Sequence, residues 1–201
     1  MKKLAWPLCA LAIASAQAAP IDNPADPALA GGSVIDFQSV AAGAYSSLVL
    51  PGVSFSSGAG TQLYIDSAYA GSYNTSGQSL KNTYNGDAFG TLTLTFTAPT
   101  QAFAFNWGAA DTLWSLTAYD ASNNVLDTRL LTATKASNAG EFYGLAASTN
   151  IAYAVLSGNR HDYVFIDKLT VAGAVPEPET YLLLGAGLLV VGLAVRRRQR
   201  D

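Results

Sequence analysis

Between residues 33 and 171 the chain alternates. In Thr91-Leu92-Thr93-Leu94-Thr95-Phe96-Thr97 every second residue is apolar. That period predicts a strand with Leu92, Leu94 and Phe96 on a core face and the threonines opposite. After a turn at Pro99, Ala102-Phe103-Ala104-Phe105-Asn106-Trp107 predicts another strand. Residues 115–119 and 125–132 flank Asp120-Ala121-Ser122-Asn123-Asn124, a hairpin-loop signal. Further strands are predicted over 141–146, 151–157 and 163–171, with weaker signals over 33–40, 47–55 and 62–66. No segment of this region carries a stripe of 3.6-residue period, and no fixed-period repeat indicates a propeller or solenoid. About nine or ten short strands with Gly, Asn, Ser and Pro turns predict an all-β fold. The expected architecture is an antiparallel two-sheet β-sandwich of jelly-roll type over 33–173. At roughly 140 residues it is large enough to bury its own core.

The two ends depart from this alternation. Lys2 and Lys3 precede the apolar run 4–14, and Ala16-Gln17-Ala18 is a small-x-small site. Residues 1–18 therefore read as a secretory signal peptide, cleaved between Ala18 and Ala19. Cys9 lies inside the apolar run behind Trp6-Pro7-Leu8, not behind the small residues of a lipoprotein site. Residues 19–32, with Pro20, Pro24, Pro27 and Gly31-Gly32, are expected to form a flexible leader. At the other end, residues 174–201 begin with Val175-Pro176-Glu177-Pro178, continue through a nearly unbroken apolar run over 181–195, and close on Arg196, Arg197, Arg198 and Arg200. A fifteen-residue helix at ~1.5 Å per residue reaches about 22 Å, short of a ~30 Å hydrocarbon core. Snorkelling arginines and local thinning make a single transmembrane helix feasible over 181–195. The Arg cluster then faces the cytoplasm and the rest lies outside the inner membrane.

Pro176-Glu177-Pro178, an apolar helix and a terminal Arg cluster, in that order, resemble the PEP-CTERM sorting signal of Gram-negative bacteria. Tails of this kind are also labelled an ice-binding-protein C-terminal domain. The resemblance implies an exported protein, anchored in the inner membrane until exosortase cuts near Pro176–Pro178. It also implies a cell-surface or extracellular-matrix destination linked to exopolysaccharide and biofilm. In this reading the protein is the substrate of the cleavage, not an enzyme. The two prolines keep the segment extended and accessible to a protease. Residues 111–119, Glu141-Phe142-Tyr143-Gly144 and Phe165-Ile166-Asp167-Lys168-Leu169 look like the sandwich domains joined to such tails, and loosely resemble carbohydrate-binding modules.

Charge changes the picture of the middle. The whole chain carries a net charge of −3, but residues 19–175 hold five basic and eleven acidic residues, a net of −6. That argues against a nucleic-acid binder and against direct attraction to an anionic polysaccharide. One Cys and one His exclude disulfide scaffolds and Cys/His metal clusters.

Three kinds of chemistry remain as candidates. Trp107, Trp114 and Tyr73 can stack on sugar rings, with Tyr64, Tyr69 and Tyr84 nearby in sequence; the alternative is that they pack the sandwich and its loops. Asp36 and Asp167, in the first and last predicted strands, are candidate ligands for a structural calcium ion, with Asp66, Asp87 and Asp111 as further loop carboxylates; the alternative is separate solvated or turn-capping acids. No other cofactor is expected. His161-Asp162 is the one His–carboxylate neighbour pair, in a predicted solvated loop, and no GxSxG, HExxH or P-loop accompanies it. Ranked ice-binding faces need threonine rows on several adjacent strands, and the sequence displays one at 91–97. The leading function is a structural or adhesive matrix protein, with a secreted carbohydrate-binding module and a glycan-acting hydrolase as alternatives.

Overall fold

The computed structural model describes residues 19–58, 61–82, 90–134, 141–173 and Leu188. The signal peptide, the sorting motif Pro176–Pro178, the Arg cluster, Tyr84 and Asp87 lie outside them, as does all of the apolar run 181–195 except Leu188. Among the described residues no helix is long and apolar enough to cross a membrane.

The described chain is all-β. Its strands are β1 (Ala19–Ile21), β2 (Ser33–Ile35), β3 (Gly43–Tyr45), β4 (Ser47–Leu50), β5 (Val53–Ser57), β6 (Leu63–Asp66), β7 (Ser79–Lys81), β8 (Thr91–Gly108), β9 (Trp114–Tyr119), β10 (Val125–Leu131), β11 (Phe142–Ser157) and β12 (Phe165–Val171). All twelve join one hydrogen-bonded sheet, and every pairing is antiparallel.

Two long strands organise it. Pro99 does not end a strand as expected, and 141–146 and 151–157 are not separate: β8 runs for 18 residues and β11 for 16. The register between them slips twice, between Ala146 and Ile151 and between Ile151 and Tyr153. Pro99 is exposed, so its missing N–H costs no buried bond. Beside it, the buried Thr100 hydroxyl donates to Ala172 O at 2.5 Å and Ala102 O at 2.9 Å.

On either side of this corner the long strands have different neighbours. In one half, here half A, the order is β10-β9-β11-β8-β5-β4. In the other, half B, it is β1-β11-β8-β12-β7-β6-β3, with β2 alongside the end of β12.

Both halves feed one core. Leu92, Leu94, Leu116 and Leu156 of half A join Phe103, Phe105, Leu145 and Ile166 of half B in a single buried cluster. Contacts such as Trp107–Trp114 at 5.7 Å and Phe37–Phe55 at 5.7 Å bridge the halves.

Residues 19–32 differ from the flexible leader expected. Ala19–Ile21 pairs with β11, and Pro27–Leu29 forms a 3-10 turn. Ile21 and Leu29 then cover Ala102, Ala104 and Phe142 on the back of half B in a second buried cluster. The prolines concealed this, because the apolar residues that tie the segment down are only two and far apart.

The outward face of half A is in register across six strands. One row reads Thr128–Thr117–Val155–Thr93–Ser56–Ser47. The next reads Val125–Tyr119–Tyr153–Thr95–Ser54–Val49.

Candidate functional site

The outer side of half B carries an aromatic patch. Alternation in β6 points Leu63 and Ile65 inward and leaves Tyr64 and Asp66 half-buried on the outer side. Lys81 of β7 sits opposite Tyr64 on one side and Phe165 of β12 on the other. The turn after β6 then folds back over this row. Tyr73 stacks parallel on Phe165 at 5.6 Å between ring centres, and Tyr69 meets both edge-on at 5.5 Å and 5.2 Å. The Lys81 ammonium is 2.6 Å from the Asp66 carboxylate and 5.1 Å from the centres of both Tyr64 and Tyr69.

The turn is held firmly. Tyr73 and Asn74 have left-handed backbones, with φ of 50° and 60°. Thr75 donates to Tyr69 O, Asn74 Nδ2 to Glu141 O at 2.6 Å, and Asn106 Nδ2 to Asn74 O. Gly108 lies so close beneath that a Cβ there would overlap the Tyr73 carbonyl. Tyr69 is 43% exposed. The patch thus presents a positioned ring beside an ion pair, the make-up that suits a sugar's apolar face and hydroxyls.

Of the predicted stacking residues, only Tyr73 reaches such a place. Trp107 and Trp114 are fully buried and cannot offer a ring face to a ligand. Their positions fall on the inward parity of β8 and β9, beside Phe105 and Leu116. Trp114 Nε1 donates to Asp162 at 2.9 Å. The same carboxylate accepts from Asp111 N at 2.8 Å, Thr112 N at 3.0 Å and the Thr112 hydroxyl at 2.7 Å. Asp162 is buried, whereas its neighbour His161 is exposed with φ 69°. The two are held apart in role: Asp162 ties the 111–114 loop to the loop before β12.

Asp167 lies in the last strand, β12, as predicted, whereas Asp36, expected within the first predicted strand, falls just after β2, which ends at Ile35. They stand on two sides of the 76–78 turn. Asp167 is fully buried and accepts from Ser76 N at 2.8 Å, the Ser76 hydroxyl at 3.1 Å and Lys168 N at 2.7 Å. Burial pushes its carboxyl above the ordinary range, against the lowering effect of those hydrogen bonds. Beside Asp36, the carbonyls of Asp36, Ser76 and Gln78 converge on Gln38 Nε2, at 2.8, 2.9 and 3.1 Å. A donor amide therefore occupies the point where these oxygens meet. Asp66 pairs with Lys81, and Asp111 is exposed. Among the described residues no three acidic, His or Cys side chains come together as a metal site.

A cleft of about 610 Å³ opens beside Pro99 of β8, between Val34, Val40, Leu50 and Val171. Its rim includes Gly173, after which the sorting segment begins.

Residues 174–198 match the family model of the PEP-CTERM protein-sorting motif. The chain therefore carries the C-terminal sorting signal of an exported, exosortase-processed protein, with transient anchoring at the membrane. No curated protein matches the chain. Among solved structures it is similar to the K1 cleaved adhesin domain of Lys-gingipain from Porphyromonas gingivalis. The identity is 16%, with 72% of this chain and 99% of that one covered and a TM-score of 0.42.

Proposed function

We propose that this protein is a structural or adhesive component of the cell surface or extracellular matrix, associated with exopolysaccharide, and that its two halves form a sandwich of jelly-roll type. The observation that carries this reading is the sorting motif at 174–198. It is joined to a domain in which the buried carboxylate of Asp162 fastens a loop. Signal peptidase removes 1–18, the helix 181–195 holds the chain in the inner membrane with Arg196–Arg198 and Arg200 in the cytoplasm, and exosortase releases it. The domain acts by binding and not as an enzyme. The test is mass spectrometry of the surface fraction. Loss of both ends is expected, and replacement of Pro176, Glu177 and Pro178 by alanine should leave the protein in the membrane fraction. An intact Arg cluster in surface-released protein would overturn the proposal.

A second reading, a secreted carbohydrate-binding module, is favoured by Tyr69 and Tyr73 over the Lys81–Asp66 pair. Here Tyr69, not Trp107 or Trp114, is the stacking ring.

A further inference from the structure

The outward face of half A is uncharged throughout the two rows described above: threonine, serine, valine and two tyrosines. A third row, Leu130–Ser115–Ser157–Thr91, continues the pattern. The charges nearest to it lie off the rows. Arg129 of β10 turns to the inner side, where it bonds Ile21 O and Gly144 O, Asp127 pairs with inward-facing Ala118, and the Asp120 carboxylate, bonded by Ser122 and Asn124, borders the face in the turn after β9.

Tyr119 and Tyr153 stack on each other at 4.6 Å and 7°, so their rings brace one another on the face. The Thr117 and Thr128 hydroxyls are 3.0 Å apart. Strands ~4.8 Å apart, with same-face residues about 6.7 Å apart along each, make this a regular grid of hydroxyls and methyls.

We infer that this face docks a neutral polysaccharide lying flat across the strands. Three features select that partner. Hydroxyls both donate and accept, so a hydroxyl grid matches a polyhydroxyl ligand in either sense. A charge-free face in a domain of net −6 neither attracts an anionic polymer nor holds counterions that a neutral one would have to displace. The buried core of a dimer interface favours aromatic residues, Met and Arg and is poor in serine, whereas serine and threonine dominate here and the exposed aliphatics Val49, Val125 and Leu130 lie on the two edge strands. The inference rests on the exopolysaccharide reading for its partner, but it names a surface other than the Tyr69 patch.

The experiment is co-sedimentation of the mature protein with insoluble cellulose, curdlan and cross-linked dextran, with alginate gel and ice as comparators. The T93K/V155K double variant places two ammonium groups mid-face on directly paired outward positions, so its melting temperature should fall slightly from their mutual repulsion while it stays folded at the assay temperature, which a melt confirms; Thr93→Ser is the conservative control. Binding to a neutral polymer that falls about tenfold or more in T93K/V155K, but not in Thr93→Ser or Tyr69→Ala, is the expected result. Neutral-polymer binding lost in Tyr69→Ala and unchanged in T93K/V155K would overturn the inference and leave the carbohydrate reading standing. Binding to no polysaccharide would overturn both. Preference for alginate, retention on ice alone, or self-association abolished by T93K/V155K without glycan binding would each overturn the face as a neutral-polysaccharide dock.

Discussion

Asp162 accepts four hydrogen bonds from three residues of one loop while Asn82 holds its own backbone: Asn82 Nδ2 donates to Asp162 O, and Val164 N donates to Asn82 Oδ1. Replacing Asp162 by alanine strands two backbone N–H groups and the buried Trp114 indole N–H. A loss of about 3 kcal/mol is expected, read as a lower urea midpoint. Asp167 gives a signed pH effect. Its folded pKa is raised, so the native state binds more protons than the unfolded chain just above the ordinary aspartate value of about 3.9. Its contribution therefore weakens as pH rises through that window. Asp120 runs the other way: hydrogen bonds from Asn124 lower it, and its contribution is lost as pH falls through the lowered value. Asp167→Asn should remove the first slope from a stability–pH series and leave the second.

Among the elements, β1 pairs with β11 and is braced there by one distant side chain. Arg129 donates to Ile21 O at 2.8 Å and Gly144 O at 3.0 Å, pairs with Asp22 at 2.5 Å, and lies 4.7 Å over the Tyr143 ring. Arg129→Met should loosen β1 first, seen as faster amide exchange at Ile21 with little change in half A. The strong alternators were legible: 91–97, 102–107 and 115–119 appear where their period put them, and Asp120–Asn124 closes its turn with Asn123 at φ 65°. Joining two of those strands into one was not legible. Pro99 reads locally as a break, and only the neighbours on both sides of the corner show that the chain continues through it. β7 was missed because Ser79–Lys81 is three residues long and sits in a Gly/Ser/Asn-rich stretch.

For the whole molecule, the charge distribution makes the sorting step measurable. The full chain has a net charge of −3 and residues 19–175 have −6. The processed form should therefore focus at a more acidic pH than the precursor, by at least three charges, and a surface form that focuses with the precursor would contradict cleavage at both ends. The candidate site was half legible. A tyrosine-rich stretch marked the region of Tyr69 and Tyr73, but the tryptophans drew attention away from it, since residue type says which side chains can stack and not which way they face.

What the sequence determined by itself is the all-β class, the core-facing parity of its clearest strands, and the sorting tail at 174–198. Each of these is written in a local period or a short ordered motif, and needs no partner to be read. Tertiary structure alone decided that residues 19–32 belong to the fold, that Trp107 and Trp114 are core, that Tyr73 stacks on Phe165, and that hydroxyls from six strands fall into register. Those are facts about which distant segments become neighbours. Backbone hydrogen bonding sets that register between strands far apart in the chain, and no single strand's pattern contains it.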